Sequence, residues 1–159
     1  MRLEMEMRPL DHGDAPACDG IIASLPYHFG QAEGRRQCAQ AVRRDPGLGA
    51  LVDGVVVGFL TIERHFETSA EITWMAVHAE HRRQGIGSAL VARLSDELRR
   101  EGRRLLLVFT ISPSEDLQGE PDDGYQATRA FYAKAGFTLA RDFPGLWECD
   151  TAVLMVRVP

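Results

Sequence analysis

The chain has 159 residues, 45% hydrophobic and 26% charged, which suits one domain with a sizeable core and is too short for two comfortable ones. Its formal charge of −5, with an isoelectric point near 5.5, argues against general affinity for nucleic acid or an anionic membrane. No run approaches the ~20 apolar residues of a membrane span, and Met1 to Met7 holds no apolar signal core.

Leu3 to Arg8 alternates apolar and polar residues and reads as a first strand, followed by a helix over Ala15 to Leu25. Glu33 to Arg44 reads as a second helix, closed by Asp45-Pro46-Gly47. Leu48 to Val52 and Val55 to Arg64 flank Asp53-Gly54, a pair that tolerates the positive φ of a type I′ turn, so a hairpin is expected. Glu71 to Val77 is a further strand, with Ile72, Trp74 and Ala76 on one face and Glu71, Thr73, Met75 and Val77 on the other. Beyond it the period lengthens to about 3.6. Ile86, Leu90, Leu94 and Leu98 recur at every fourth position, Arg99 and Arg100 complement the helix end, and Gly102 stands where a left-handed cap is expected. Arg104 to Ile111 contains a continuous apolar run, expected to be a strand buried on both faces. Tyr125 to Ala135 is a short helix closed by Gly136, and Phe137 to Ala140 and Ala152 to Val158 finish the chain as strands. The order β-α-α-β-β-β-α-β-α-β-β predicts one α/β domain over residues 1–159, a mixed, mostly antiparallel twisted sheet of about seven strands with four helices.

The three cysteines, Cys18, Cys38 and Cys149, form no CxxC pair and no zinc spacing, and read as reduced thiols of a cytoplasmic protein. His78 and His81 read as solvated histidines at a strand end, so no metal is expected.

The chemistry concentrates where the strand ending at Val77 gives way to the next helix. A helix start leaves about four backbone N–H groups without intrahelical partners and carries roughly half a positive charge. In Arg82-Arg83-Gln84-Gly85-Ile86-Gly87, the glycines let an anion approach the backbone and the arginines add charge, an arrangement that favours a pyrophosphate. A dinucleotide fingerprint would need a small residue at Leu90, and a P-loop would need Gly-Lys-Ser/Thr, which is absent.

The wider stretch Ala70 to Leu90 resembles the central motif of the GCN5-related N-acetyltransferase (GNAT) superfamily, Arg/Gln-x-x-Gly-x-Gly/Ala, matched by Arg82, Gly85 and Gly87. Ala130 to Phe137 resembles that family's second signature, a Phe-Tyr on a short helix ending in Gly-Phe. The element order is similar over nearly the whole chain. The resemblance implies an N-acetyltransferase that moves an acetyl group from acetyl-CoA to a primary amine of a small molecule or peptide, without a metal. It implies a pantetheine arm along the backbone of Met75, Ala76 and Val77, and a pyrophosphate on Arg82, Arg83, Gln84, Gly85, Ile86, Gly87 and Ser88. Dimerisation is common in the superfamily, so a homodimer is compatible with it. A non-catalytic acyl-CoA sensor of the same fold is the alternative.

Acetyl transfer needs a neutral amine, and deprotonating a lysine-like amine at pH 7 costs about 4.6 kcal/mol. Glu71 is the candidate base, on the same strand face as Val77 and placed like the glutamate of the histone-acetylating branch; the alternative is a solvated carboxylate at a strand start. The resemblance makes Tyr132 the candidate acid for the leaving thiolate, against a plain half-buried aromatic, and gives the Val77 N–H the oxyanion contact. An asparagine that touches pantetheine near the end of the 104–111 strand in relatives is missing, which leaves the contact to Thr110 or Ser112, or abolishes it. The connection from Pro113 to Gly124 carries Glu115, Asp116, Glu120, Asp122 and Asp123 and reads either as an acidic border favouring a cationic acceptor or as a solvated loop. Thr110 to Ser114, Gly124 to Tyr132 and Leu146-Trp147 resemble a bacterial subgroup with no settled substrate. Tyr27, His28 and Phe29 lie where acceptors bind in many relatives, although an aromatic cluster is more often simple packing.

Overall fold

In the computed structural model, which describes residues 4–26, 29, 32–116 and 124–159, the strands are β1 (Met5–Pro9), β2 (Gly47–Val52), β3 (Val55–Arg64), β4 (Ser69–Val77), β5 (Leu105–Ile111), β6 (Thr138–Phe143) and β7 (Ala152–Arg157). The helices are α1 (Ala15–Ala23), α2 (Ala32–Arg44), α3 (Ile86–Arg100) and α4 (Tyr125–Lys134). The strands follow the order β1-β2-β3-β4-β5-β7-β6, and the open sheet is mixed and mostly antiparallel, the class that the sequence pattern predicts. Short 3-10 turns at His12–Asp14, Ala79–His81 and Pro113–Glu115 carry no periodic signal and were not predicted. The chain divides into two compact units, Met1–Glu63 with Ile72–Glu97, and Arg64–Glu71 with Leu98–Pro159.

In the first unit β2 pairs antiparallel with β1 and β3, Met5 opposite Val52 and Val52 opposite Val55. Asp53 (φ +51°) and Gly54 (φ +78°) give the expected hairpin turn. Arg8 forks onto Asp14 at 2.7 and 2.9 Å, which ties β1 to the start of α1 and holds the Asp14 carboxyl below its ordinary pKa. Under α1 and α2 lies a core that includes Cys18, Ile22, Cys38, Val56, Phe59 and Ala76. Burial pushes the Cys18 and Cys38 thiols up to about 12, so both remain protonated and unreactive at neutral pH.

Helix α3 buries Ile86, Leu90, Val91 and Leu94, the stripe expected from its period. It packs where β3 has a glycine. A Cβ on Gly58 would stand 2.9 Å from Ile86 Cγ2, 3.4 Å from Val77 Cγ2 and 3.5 Å from Leu90 Cδ1.

In the second unit β7 pairs antiparallel with β5 and β6, Phe109 opposite Leu154 and Leu139 opposite Met155. Burial of β5 on both faces does not hold. Leu106, Val108 and Thr110 are buried, but Leu105 is 41% exposed and Leu107 and Phe109 are half-buried. Its apolar run therefore covers one core face and one partly open face. Strand β6 runs on to Phe143, beyond the predicted Ala140, with Thr138 to Asp142 exposed at the sheet edge; no apolar alternation marks it. The C-terminal end of α3 closes with the predicted cap: Gly102 N–H donates to Arg99 C=O and Arg103 N–H to Leu98 C=O, both at 3.0 Å.

Candidate active site

In the first unit β4 ends at Val77, and the His78 N–H donates to Val57 C=O at 2.8 Å. The chain then turns tightly: His78 C=O accepts from His81 N–H at 2.8 Å, and His78 Nδ1 accepts from Glu80 N–H at 3.2 Å. The Ala79 N–H donates to Ser24 Oγ at 3.1 Å, which fixes the turn against the end of α1. Arg82 is extended, Arg83 is left-handed at φ +63°, and Gly85 is left-handed at φ +78°. A non-glycine residue holds such a φ at a cost of about 1–2 kcal/mol, and strain of this kind gathers at ligand clamps.

The Ala89 N–H donates to Gly85 C=O at 3.0 Å, the first bond of the α3 ladder. The amides of Ile86, Gly87 and Ser88 therefore precede the ladder, and Gly85 has no side chain to cap them. Arg82, Arg83, Gln84 and Gly85 are exposed around them, whereas the Ile86 side chain is buried at 3% exposure. Ile86 thus offers a ligand its backbone. The same holds for Ala76, buried under α1 and α2, while Met75 and Val77 are half-buried. Donor N–H groups at a helix start closely follow two exposed arginines in the chain, an arrangement that can take a polyanion.

Phe29 also belongs to this unit. Its ring lies 6.1 Å from that of Trp74, and its carbonyl accepts from Arg35 at 2.7 Å. Tyr27 and His28 lie outside the described residues. Among the described residues no three His, Cys, Asp or Glu side chains gather around a metal-sized site.

In the second unit Tyr132 is buried on α4, its ring 5.2 Å from Phe131 and 5.4 Å from Phe137. Burial raises the phenol well above its ordinary pKa, so at neutral pH it keeps its proton and can donate it in a hydrogen bond. One turn earlier, Arg129 is only 9% exposed; its guanidinium donates to Ile111 C=O at 2.8 Å and to Asp116. Thr110 lies on the buried face of β5 with Leu106 and Val108. The Ser112 hydroxyl donates to Asp142 at 2.7 Å and accepts from Ser114 N–H at 3.0 Å and Ser114 Oγ at 2.8 Å. One donor and two lone pairs are then saturated, which leaves Thr110 of the two residues offered for the missing asparagine.

The acidic connection changes in meaning too. Asp116 pairs with Arg129, and Glu115 accepts from Thr151 N–H at 2.8 Å, so these two carboxylates hold the protein itself. Glu120, Asp122 and Asp123 lie outside the described residues.

Glu71 is a partly buried carboxylate, its side chain 19% exposed, rather than a freely solvated one. Oε1 is bonded to His65 Nε2 at 2.9 Å across the β3–β4 turn. Sequence reasoning missed His65, although a histidine and a glutamate flanking a short turn were the available signal. It also missed Gly58 and Arg129, whose roles exist only once β3 meets α3 and α4 meets β5.

Residues 45–139 match the family described as acetyltransferase (GNAT) domain. Solved structures of the same fold include a protein assigned to the GNAT family from Desulfovibrio desulfuricans, 20% identical, covering 98% of this chain and 99% of that one, TM-score 0.83. They also include a PaiA N-acetyltransferase from Thermoplasma acidophilum in complex with coenzyme A, 16% identical over 99% and 100% of the chains, TM-score 0.76. A third is the ribosomal-protein-S18-alanine N-acetyltransferase of Escherichia coli, 20% identical over 98% and 94%, TM-score 0.70. No curated protein sequence matches the chain. Among the described residues no helix is long and apolar enough to cross a membrane.

Proposed function

The chain belongs to the GNAT acetyltransferase family, and from that premise we propose that residues 1–159 form one catalytic domain that moves an acetyl group from acetyl-CoA to a primary amine of a small molecule or peptide, by direct attack in a ternary complex. The observation that carries the donor side is the start of α3, where the Ile86, Gly87 and Ser88 amides precede the helical ladder beside exposed Arg82 and Arg83. In this reading those groups, with Gln84 and Gly85, hold the pyrophosphate. The backbone of Met75 to Val77, with Thr110, takes the pantetheine.

The amine nitrogen attacks the thioester carbonyl carbon, and its surplus proton goes to Glu71 directly or through water. The Val77 N–H stabilises the developing oxyanion. The C–S bond then breaks, and the departing thiolate takes its proton from Tyr132. Burial keeps the phenol in its neutral, proton-bearing form as it enters the reaction.

Thermal-shift titration tests the donor: acetyl-CoA should stabilise the protein while NAD does not, and the Arg82→Ala/Arg83→Ala variant should need far more acetyl-CoA for the same shift. Thiol release is then followed with polyamines, aminoglycosides, a lysine peptide and a peptide with an amino-terminal alanine. Acetyl-CoA binding without thiol release for any amine would overturn the catalytic reading.

A further inference from the structure

We propose that His65 is a positioning residue for Glu71: the neutral imidazole holds the carboxylate as a base, and protonation of the imidazole switches that base off. The proposal rests on the reading of Glu71 as the base.

The pair is built into the turn. His65 N–H donates to Ser69 C=O and Ser69 N–H to Phe66 C=O, each at 3.2 Å, which sets the two arms of the hairpin. Arg103 braces the same turn from outside, donating to Phe66 C=O at 2.7 Å and to Ser69 C=O at 3.2 Å. Within this frame His65 Nε2 meets Glu71 Oε1 at 2.9 Å. A carboxylate can only accept, so Nε2 carries the proton and the imidazole donates. One carboxylate oxygen is thereby fixed, and Oε2 is left to take a proton from the acceptor amine.

The surrounding charges are Arg64 and Arg103, both donating to Glu101, together with Glu67 in the turn and Arg104 at the start of β5. Of these and Glu71, Glu71 is the carboxylate bonded to the imidazole. The His65 side chain is 32% exposed and that of Glu71 19%.

Imidazole is the side chain that ordinarily changes charge between about pH 5 and 8. Once protonated, it places a full positive charge against Oε1, which favours the carboxylate form of Glu71 and weakens it as a base. The same charge repels an incoming ammonium. Proton balance needs no further reactant: the amine proton moves to Oε2 and leaves to water after the product departs.

The test is kcat/KM against pH, with acetyl-CoA and the fastest amine of the panel, for wild type, His65→Gln, His65→Leu and Glu71→Gln. Taking each variant as a ratio to wild type cancels the acceptor's own ionisation. Glutamine places an amide N–H where Nε2 stands and does not titrate. His65→Gln should keep kcat at pH 8 within about 3-fold and lose the acid limb, whereas His65→Leu should lower kcat about 10-fold with the acetyl-CoA KM unchanged. Should His65→Leu fail to fold, as thermal melting would show, His65→Gln still carries the pH comparison. A His65→Gln profile that retains the wild-type acid limb, with Glu71→Gln impaired, overturns the proposal alone. Full kcat in Glu71→Gln overturns the base reading, and this proposal with it.

Discussion

Substituting Gly58 by alanine should disturb the proposed cofactor loop through the strand face on which α3 packs. The added Cβ would sit 2.9 Å from Ile86 Cγ2, whereas carbon atoms rest at about 3.5–4.0 Å. The shortfall is about 0.6–1 Å. It cannot be relieved by rotating a side-chain tip, because Cγ2 is attached to the β-carbon of a residue stiff at χ1. The first turn of α3 must lift, and the Ile86, Gly87 and Ser88 amides lift with it. Overpacking of this kind costs about 1–3 kcal/mol, and misplacing a donor set by about 1 Å can cost up to 100-fold in rate. Gly58→Ala should therefore lower stability in urea by about 2 kcal/mol and raise the acetyl-CoA KM about 10-fold or more. Ile86→Ala alone should cost about 2–4 kcal/mol, since that side chain is buried. The pair Gly58→Ala/Ile86→Ala should be more stable than the sum of the two losses by about 1 kcal/mol or more, because removing Cγ2 removes the clash. Strict additivity, or a Gly58→Ala protein with wild-type stability and KM, would refute the account of how β3 sets the height of the loop.

Ser95→Ala should stabilise the protein by about 1 kcal/mol in urea, since Ser95 is 1% exposed and its hydroxyl has no hydrogen-bond partner among the described residues, and a loss of stability would contradict this. Glu101 has its folded pKa depressed to about 2 by Arg64 and Arg103, so its contribution is present above the unfolded value near 4.5 and is lost as pH falls towards 2. With the side chain 35% exposed, solvent screening reduces the effect to about 1 kcal/mol. The gap between wild type and Glu101→Gln should close across that window, and a gap constant with pH would count against it. Tyr132→Phe should lower kcat about 10- to 100-fold, equally from pH 6 to 9, because the raised phenol pKa keeps the hydroxyl protonated throughout. Unchanged turnover would remove its role as acid.

The elements legible in the sequence are those whose signal is local. Asp53-Gly54 with β-branched neighbours specifies its own turn, and the stripe from Ile86 to Leu98 with Gly102 beyond it specifies α3 and its end. The misjudged elements lack such a signal. Strand β6 has exposed residues from Thr138 to Asp142 and is held as a strand by its pairing with β7, so periodicity could not give its length. The apolar run of β5 suggested two buried faces, but hydrophobicity cannot tell a buried face from one that stays partly open, as Leu105 and Phe109 do.

The same distinction separates the two substrates. A pyrophosphate site made of backbone N–H groups at a helix start would be written by a few consecutive residues, which is why the sequence alone can propose Arg82 to Ser88 for one. Other contacts join residues that only the fold brings together: His65 with Glu71, Arg129 with Ile111 and Asp116, Ser112 with Asp142. These pairs also reassign residues that looked available. Ser112 and Asp116 are engaged by the protein's own groups, which narrows the polar groups left for ligands near the end of β5 towards Thr110. The net charge of the 113–124 connection is therefore a weak guide to an acceptor preference, because two of its five carboxylates, Glu115 and Asp116, already serve the fold.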